Sequence, residues 1–272
     1  MKLKKQRKKK KGKLIICIIV CILLISFLII YFSFFQKQSN FKVKSRIDNV
    51  KAEKKKDEDF YRTVGWLRIQ GTKIDMPVIT ITGKSEAPIT REDYAWTINR
   101  DGKYHNSMRI YGHNIFNLSA KPKIYSSSFK RFEELLAFVY YDFAKENQYI
   151  QLTMNDEDYV YQVFAVGIID YYEISTLPTG EHSKKEMKEE INLFKKNTIY
   201  DYNVKVTEKD KILSLVTCTR MYGRDADVGI VVSAKLIDNR KAKRLNRVIK
   251  TKKYKKVEKT LKGDDSDEEV SA

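Results

Sequence analysis

Hydrophobic and polar positions divide the chain into one long unbroken apolar run and a series of short alternating ones. The 22 positions from Leu14 to Phe35 carry no charge. As a helix rising about 1.5 Å per residue they reach roughly 33 Å, enough to cross a hydrocarbon core of about 30 Å. A cleaved signal peptide has a shorter apolar stretch and a small-residue cleavage site, and none follows Phe35, so the run predicts an uncleaved signal-anchor. Further along, Gly65-Trp-Leu-Arg-Ile-Gln-Gly-Thr-Lys-Ile-Asp-Met-Pro-Val-Ile alternates in two runs around Gly71, as paired strands would. Met108–Tyr111, Tyr149–Thr153, Tyr159–Ile169, Ile212–Thr217 and Gly229–Ile237 read as further strands. The pattern predicts a mainly β domain with short helices, arranged as a barrel.

Two stretches break the alternation with helical spacing. Ser128–Phe138 carries Phe129, Phe132, Leu135 and Leu136, and Ser183–Asn197 places Met187, Ile191 and Phe194 on one face. The second opens on a capping box, Ser183-Lys-Lys-Glu186. Both apolar stripes are expected to face the core.

Charge sharpens the organisation. The formal net charge is +18, with nine Lys or Arg in the first 13 residues, yet residues 58–238 hold 24 basic against 26 acidic side chains. The surplus therefore sits outside the folded part. The expected layout is a basic cytoplasmic tail at 1–13, a transmembrane signal-anchor at 14–35, a charged stalk at 36–57, one folded domain at 58–239 and a charged, disordered tail at 240–272. Such basic blocks fit anionic lipid or wall polymer, and a nucleic-acid partner is not expected. The anchored topology places the domain outside the cell membrane.

Candidate chemistry is confined to few residues. Cys17 and Cys21 lie within the apolar run, which leaves Cys218 as the one cysteine of the domain. It ends the strand-like run Lys211-Ile-Leu-Ser-Leu-Val-Thr-Cys218 and has no disulfide partner, so it is either a buried structural thiol or a nucleophile. Of the three histidines, His113 is the candidate base, because Gly112 before it allows a sharp turn at a strand end that aims the imidazole along the sheet. No His/Cys spacing suits zinc, and no glycine-rich phosphate loop or Gly-x-Ser-x-Gly elbow occurs, so no metal or cofactor is expected. A resting thiol is only a few per cent ionised at neutral pH and gains from an imidazole partner.

Ser214-Leu-Val-Thr-Cys218, Tyr111-Gly-His113-Asn114 and the Gly65-Trp-Leu-Arg-Ile-Gln-Gly-Thr-Lys-Ile-Asp-Met-Pro-Val opening, in this order, resemble the sortases, cysteine transpeptidases of Gram-positive cell surfaces. The helix at 183–197, between late strands, resembles the extra helix of class B. The resemblance implies an eight-stranded sortase-type barrel with His113 and Cys218 at one rim. It further implies attack by Cys218 on a sorting-signal peptide bond, a thioester, and its resolution by an amine of a peptidoglycan cross-bridge or a pilin lysine. Sorting-signal-bearing surface proteins or pilins are the implied partners.

One position departs from the family. An arginine normally opens the strand after the cysteine, where it binds substrate and steadies the oxyanion, and the aligned residue here is Gly229. Arg224 is the expected substitute, with Arg220 the other candidate. Three readings stay open on sequence alone: an active class B-like sortase, a catalytically weak or inactive sortase fold that binds surface proteins or pilins, and a tethered cysteine peptidase.

Overall fold

In the computed structural model, residues 18–27, 38–82, 93–124 and 131–263 are described. The chain divides into two units, 1–38 and 39–272. In the first, residues 18–27 are helical and exposed. Among the described residues no helix is long and apolar enough to cross a membrane. Most of the run from Leu14 to Phe35, Cys17 included, lies outside the described residues.

The second unit is built on a closed barrel of eight strands: β1 (Tyr61–Ile69), β2 (Asp75–Ile81), β3 (Ala95–Thr97), β4 (Ser107–Tyr111), β5 (Tyr149–Met154), β6 (Glu157–Asp170), β8 (Ile212–Thr219) and β9 (Val228–Ile237). They close in the order β1-β2-β3-β4-β8-β9-β6-β5. A short pair, β7 (Tyr200–Asp201) and β10 (Ile249–Lys250), stands apart. β1 shows the expected alternation of buried and more open residues, and Gly71, at φ +85°, makes the turn into β2. Leu67, Met76, Ile110, Leu152, Val163, Leu215 and Val232 fill the interior, as the inward residues of a small barrel must.

The region expected to be helical from Ser128 is a 3₁₀ helix over Arg131–Val139 among the described residues. Phe132 to Val139 are all buried, so this element plugs the core from every side. α1 (Ile47–Lys54), α2 (Tyr141–Glu146) and α3 (Tyr171–Ser175) are short, and α4 spans Lys184–Asn197. Its capping box is complete, Ser183 accepting from the Glu186 N–H while the Glu186 side chain accepts from the Ser183 N–H. Met187, Ile191 and Phe194 of α4 cover Phe164, Ile169, Val216 and Val231 on the outer face of the sheet.

Both flanks that the charge pattern sets aside as stalk and tail contribute to this unit. In the stalk Arg46 pairs with Asp75, its Nε donating at 2.8 Å, and Val50 of α1 is buried. At the other end α5 (Tyr254–Lys262) buries Tyr254 and Val257 in the core cluster, so residues 240–263 are folded rather than a disordered tail. The physical reason is the spacing of Tyr254, Val257 and Leu261, which gives a lysine-rich stretch one apolar stripe.

Candidate active site

β4 and β8 run parallel, Tyr111 beside Val216, and each is covered on both faces. The two are stitched together past the end of β4. The Gly112 N–H donates to the Val216 carbonyl at 3.2 Å, and the Thr217 hydroxyl donates back to the Gly112 carbonyl at 2.6 Å. A Cβ at position 112 would stand 2.1 Å from Cγ of Phe132, so only glycine fits. Gly112→Ala is expected to lower stability by about 1–3 kcal/mol through overpacking. A fall in the thermal midpoint, accompanied by loss of activity as the 112–114 turn shifts, checks it.

Side chains two apart share a face of a strand. Tyr111 and Val216 belong to the outer cluster under α4, as do Val231 of β9 and Ile169 of β6. The next row on that face is His113, Cys218 and Gly229, with Cys218 directly opposite Gly229 and Gly229 opposite Ile169. His113 and Cys218 therefore reach one rim of the barrel from adjacent strands. Trp96 of β3 packs on both Tyr111 and His113, with ring centroids 6.1 and 4.9 Å away, and forms an aromatic wall beside the imidazole.

The loop after His113 is tied to the cysteine. The Cys218 thiol donates to the Asn114 carbonyl at 3.3 Å, and Asn114 Nδ2 donates to the Cys218 carbonyl at 2.8 Å. Asn114 Oδ1 accepts from the Asn117 N–H at 3.0 Å, and Asn117 in turn holds Lys123 through its N–H at 2.8 Å. Glu133, 1% exposed, accepts from the N–H groups of Ile115 and Phe116 at 2.8 Å each. These three side chains set the course of the loop that carries His113. Sequence reading passed over Asn117 and Glu133. An acid embedded in the apolar run Phe132–Val139 was the available signal for the second.

Arg224 and Arg220 are exposed, and both line a cleft of about 880 Å³ with Leu118, Tyr222, Lys256 and Lys259. Cys218 and His113 are not part of that lining. The polar side chain placed over Gly229 is instead Tyr171. A Cβ at 229 would lie 3.1 Å from Tyr171 Cζ and 3.2 Å from its hydroxyl oxygen. Burial first, and then the neighbouring Cys218, Tyr111 and Asp227, hold the Tyr171 phenol well above its ordinary pKa, so it stays an O–H donor at neutral pH. Tyr171 lies 47 positions before Cys218, and no local pattern marks it. Among the described residues no group of three His, Cys, Asp or Glu side chains converges to hold a metal.

The sortase domain family model matches residues 67–237. Sortase B of Staphylococcus aureus (strain NCTC 8325 / PS 47) is 24% identical over 178 residues, which cover 64% of this chain and 70% of that protein. Sortase B of Listeria monocytogenes serovar 1/2a is 27% identical over 189 residues, covering 64% and 69%. In three dimensions the chain is similar to the Staphylococcus aureus sortase B-substrate complex, with a TM-score of 0.54 and 20% identity over 71% of this chain and 86% of that one. At that identity the structural likeness is one of fold.

Proposed function

The chain belongs to the sortase family of cysteine transpeptidases, and on that premise we propose that it is a membrane-anchored, class B-like sortase acting through a thioester on Cys218. The observation that carries the reading is the hydrogen-bonded rim, where the thiol of Cys218 rests on the carbonyl of Asn114, one residue beyond His113. The Cys218 thiolate attacks the carbonyl carbon of a sorting-signal peptide bond. As the tetrahedral intermediate collapses, the C–N bond breaks and the His113 imidazolium gives its proton to the departing amine. His113 then takes a proton from an incoming amine, which displaces the sulfur and forms a new amide. The acceptor is a cell-wall cross-bridge amine or a pilin lysine.

The anchor fits this chemistry. Residues 14–35 span the membrane with the basic residues 1–13 in the cytoplasm and the barrel on the extracellular side, where exported substrates emerge. Arg224 is the third member of the set, acting from the loop after Cys218 in place of the family arginine.

The test uses the full chain in detergent, a library of sorting-signal peptides and an excess of amine acceptor. A mass increase on Cys218 and a ligated product are the expected results. No acyl-enzyme with any peptide would sink the catalytic reading and leave a sortase fold that binds surface proteins or pilins. Hydrolysis without ligation under excess acceptor would point to a peptidase. Arg224→Ala and Arg220→Ala are compared in the same assay: only Arg224→Ala is expected to lower kcat/KM. Full activity in Arg224→Ala removes that residue from the set.

A further inference from the structure

We propose that the hydroxyl of Tyr171 is a hydrogen-bond donor to the substrate carbonyl as it becomes an oxyanion, occupying the place from which a side chain at position 229 would otherwise act. The inference rests on the acyl-transfer reading above and concerns the same rim.

Four observations converge on it. Gly229 stands directly opposite Cys218 in the β8–β9 ladder, so a donor above Gly229 is beside the nucleophile. The space above Gly229 is filled by the phenol end of Tyr171, with Cζ and the hydroxyl oxygen 3.1 and 3.2 Å from where a Cβ would be. A side chain at 229 would crowd the phenol, and also the Thr217 carbonyl oxygen 3.0 Å from the same Cβ, so the tyrosine fits here because position 229 is glycine. Among the described residues that hydroxyl makes no hydrogen bond, and Tyr171 is half-buried, so its O–H is open to a ligand.

The fourth observation is that the donor is held in place before substrate arrives. The Tyr171 N–H donates to the Asp227 carbonyl at 2.9 Å, which ties α3 to the loop entering β9. Asp170 caps α3 by accepting from the Tyr172 N–H at 2.8 Å, and Ile174 is fully buried beneath it. A fixed donor needs no reorganisation when charge develops, which is the condition for strong transition-state stabilisation. A phenol is neutral, so Tyr171 meets the oxyanion with an oriented O–H, beside the guanidinium charge that Arg224 brings from the loop.

The test compares Tyr171→Phe with the unaltered full chain in detergent, following acyl-enzyme formation on Cys218 by mass. Loss of one such donor is expected to lower kcat about a hundredfold, with KM changed far less. Alkylation of Cys218 by iodoacetamide and the thermal midpoint are expected to stay as they are, which separates a donor from a structural prop. A second pair of variants reads the shared place. Gly229→Arg alone is expected to lose activity by collision with the phenol. In a Tyr171→Ala background the same arginine is expected to raise kcat at least tenfold over Tyr171→Ala alone. Acylation of Tyr171→Phe at the unaltered rate would overturn the inference and leave the sortase reaction standing. Absence of acyl-enzyme from the unaltered chain would overturn both.

Discussion

Cys218→Ala is expected to abolish acyl-enzyme formation and lower transpeptidation by on the order of 10⁴-fold or more, the scale seen when a covalent nucleophile is removed. The thermal midpoint should barely move. Cys218 is half-buried at a strand end, and its thiol donates a weak hydrogen bond to the Asn114 carbonyl. Thermal unfolding alongside a peptide ligation assay checks both halves. His113→Ala is expected to fall almost as far, because the leaving amine then departs without a proton donor. The two losses should not add in the double variant, since nucleophile and acid serve one step. Additive losses would mean that they act in separate events.

The second large effect lies away from the rim. Glu190 of α4 is fully buried, and so are its partners. Its Oε1 accepts from Arg109 Nη2 at 3.2 Å, and its Oε2 accepts from the Ser107 hydroxyl at 2.7 Å and lies 3.2 Å from His182 Nε2. Ser107 and Arg109 belong to β4, the strand that delivers Gly112 and His113 to the rim of the barrel. Glu190→Ala leaves a buried guanidinium without its counter-charge and is expected to cost about 3–5 kcal/mol. For a domain of this size that is roughly a 10 °C fall in thermal midpoint. Glu190→Gln should lose less, because it keeps the acceptor for Ser107.

The same cluster sets a pH dependence with two signs. Burial opposes ionisation of Glu190, yet His182, Arg109 and Ser107 outweigh it and hold its pKa below the ordinary 4.5. Its contribution is present above the unfolded value and is lost as pH falls through the folded one. Burial likewise opposes the His182 cation, and Glu190 with the Gly180 carbonyl raises its pKa above 6.5. That contribution is complete below the unfolded value and fades as pH rises through the folded one. The cluster therefore stabilises most between about 4.5 and 6.5. Thermal midpoints of the unaltered chain minus those of Glu190→Ala, plotted against pH, should peak in that window; a flat difference would contradict the coupling.

How much of this could be read from the chain depends on whether a signal is local. β5, β6, β8 and β9 were legible because their runs are long and apolar, and α4 because its capping box is written within four residues. β3 was not, since Ala95–Thr97 is too short to show a period. The 3₁₀ geometry of Arg131–Val139 was hidden for the opposite reason: with every face from Phe132 onward buried, no amphipathic period exists to distinguish it from an α-helix. In α5 the lysines concealed the stripe of Tyr254, Val257 and Leu261. At the rim, Cys218 and His113 stood out by residue type and flanking pattern, and Gly229 stood out as a departure. What fills the space over Gly229 could not be read, because Tyr171 reaches it only through the β6–β9 pairing.

The stitch between Gly112 and Thr217 joins residues 105 positions apart, and β4 with β8 is a parallel pair that no hairpin can form. Closing so long a loop must be compensated by contacts that come afterwards, so pairing of this kind is slow and late in folding. Everything that places the thiol beside the imidazole depends on that one closure. Until β8 has found β4, the folding chain therefore carries an isolated cysteine and an isolated histidine. A rim assembled by so late a closure is one that partly folded chains do not possess.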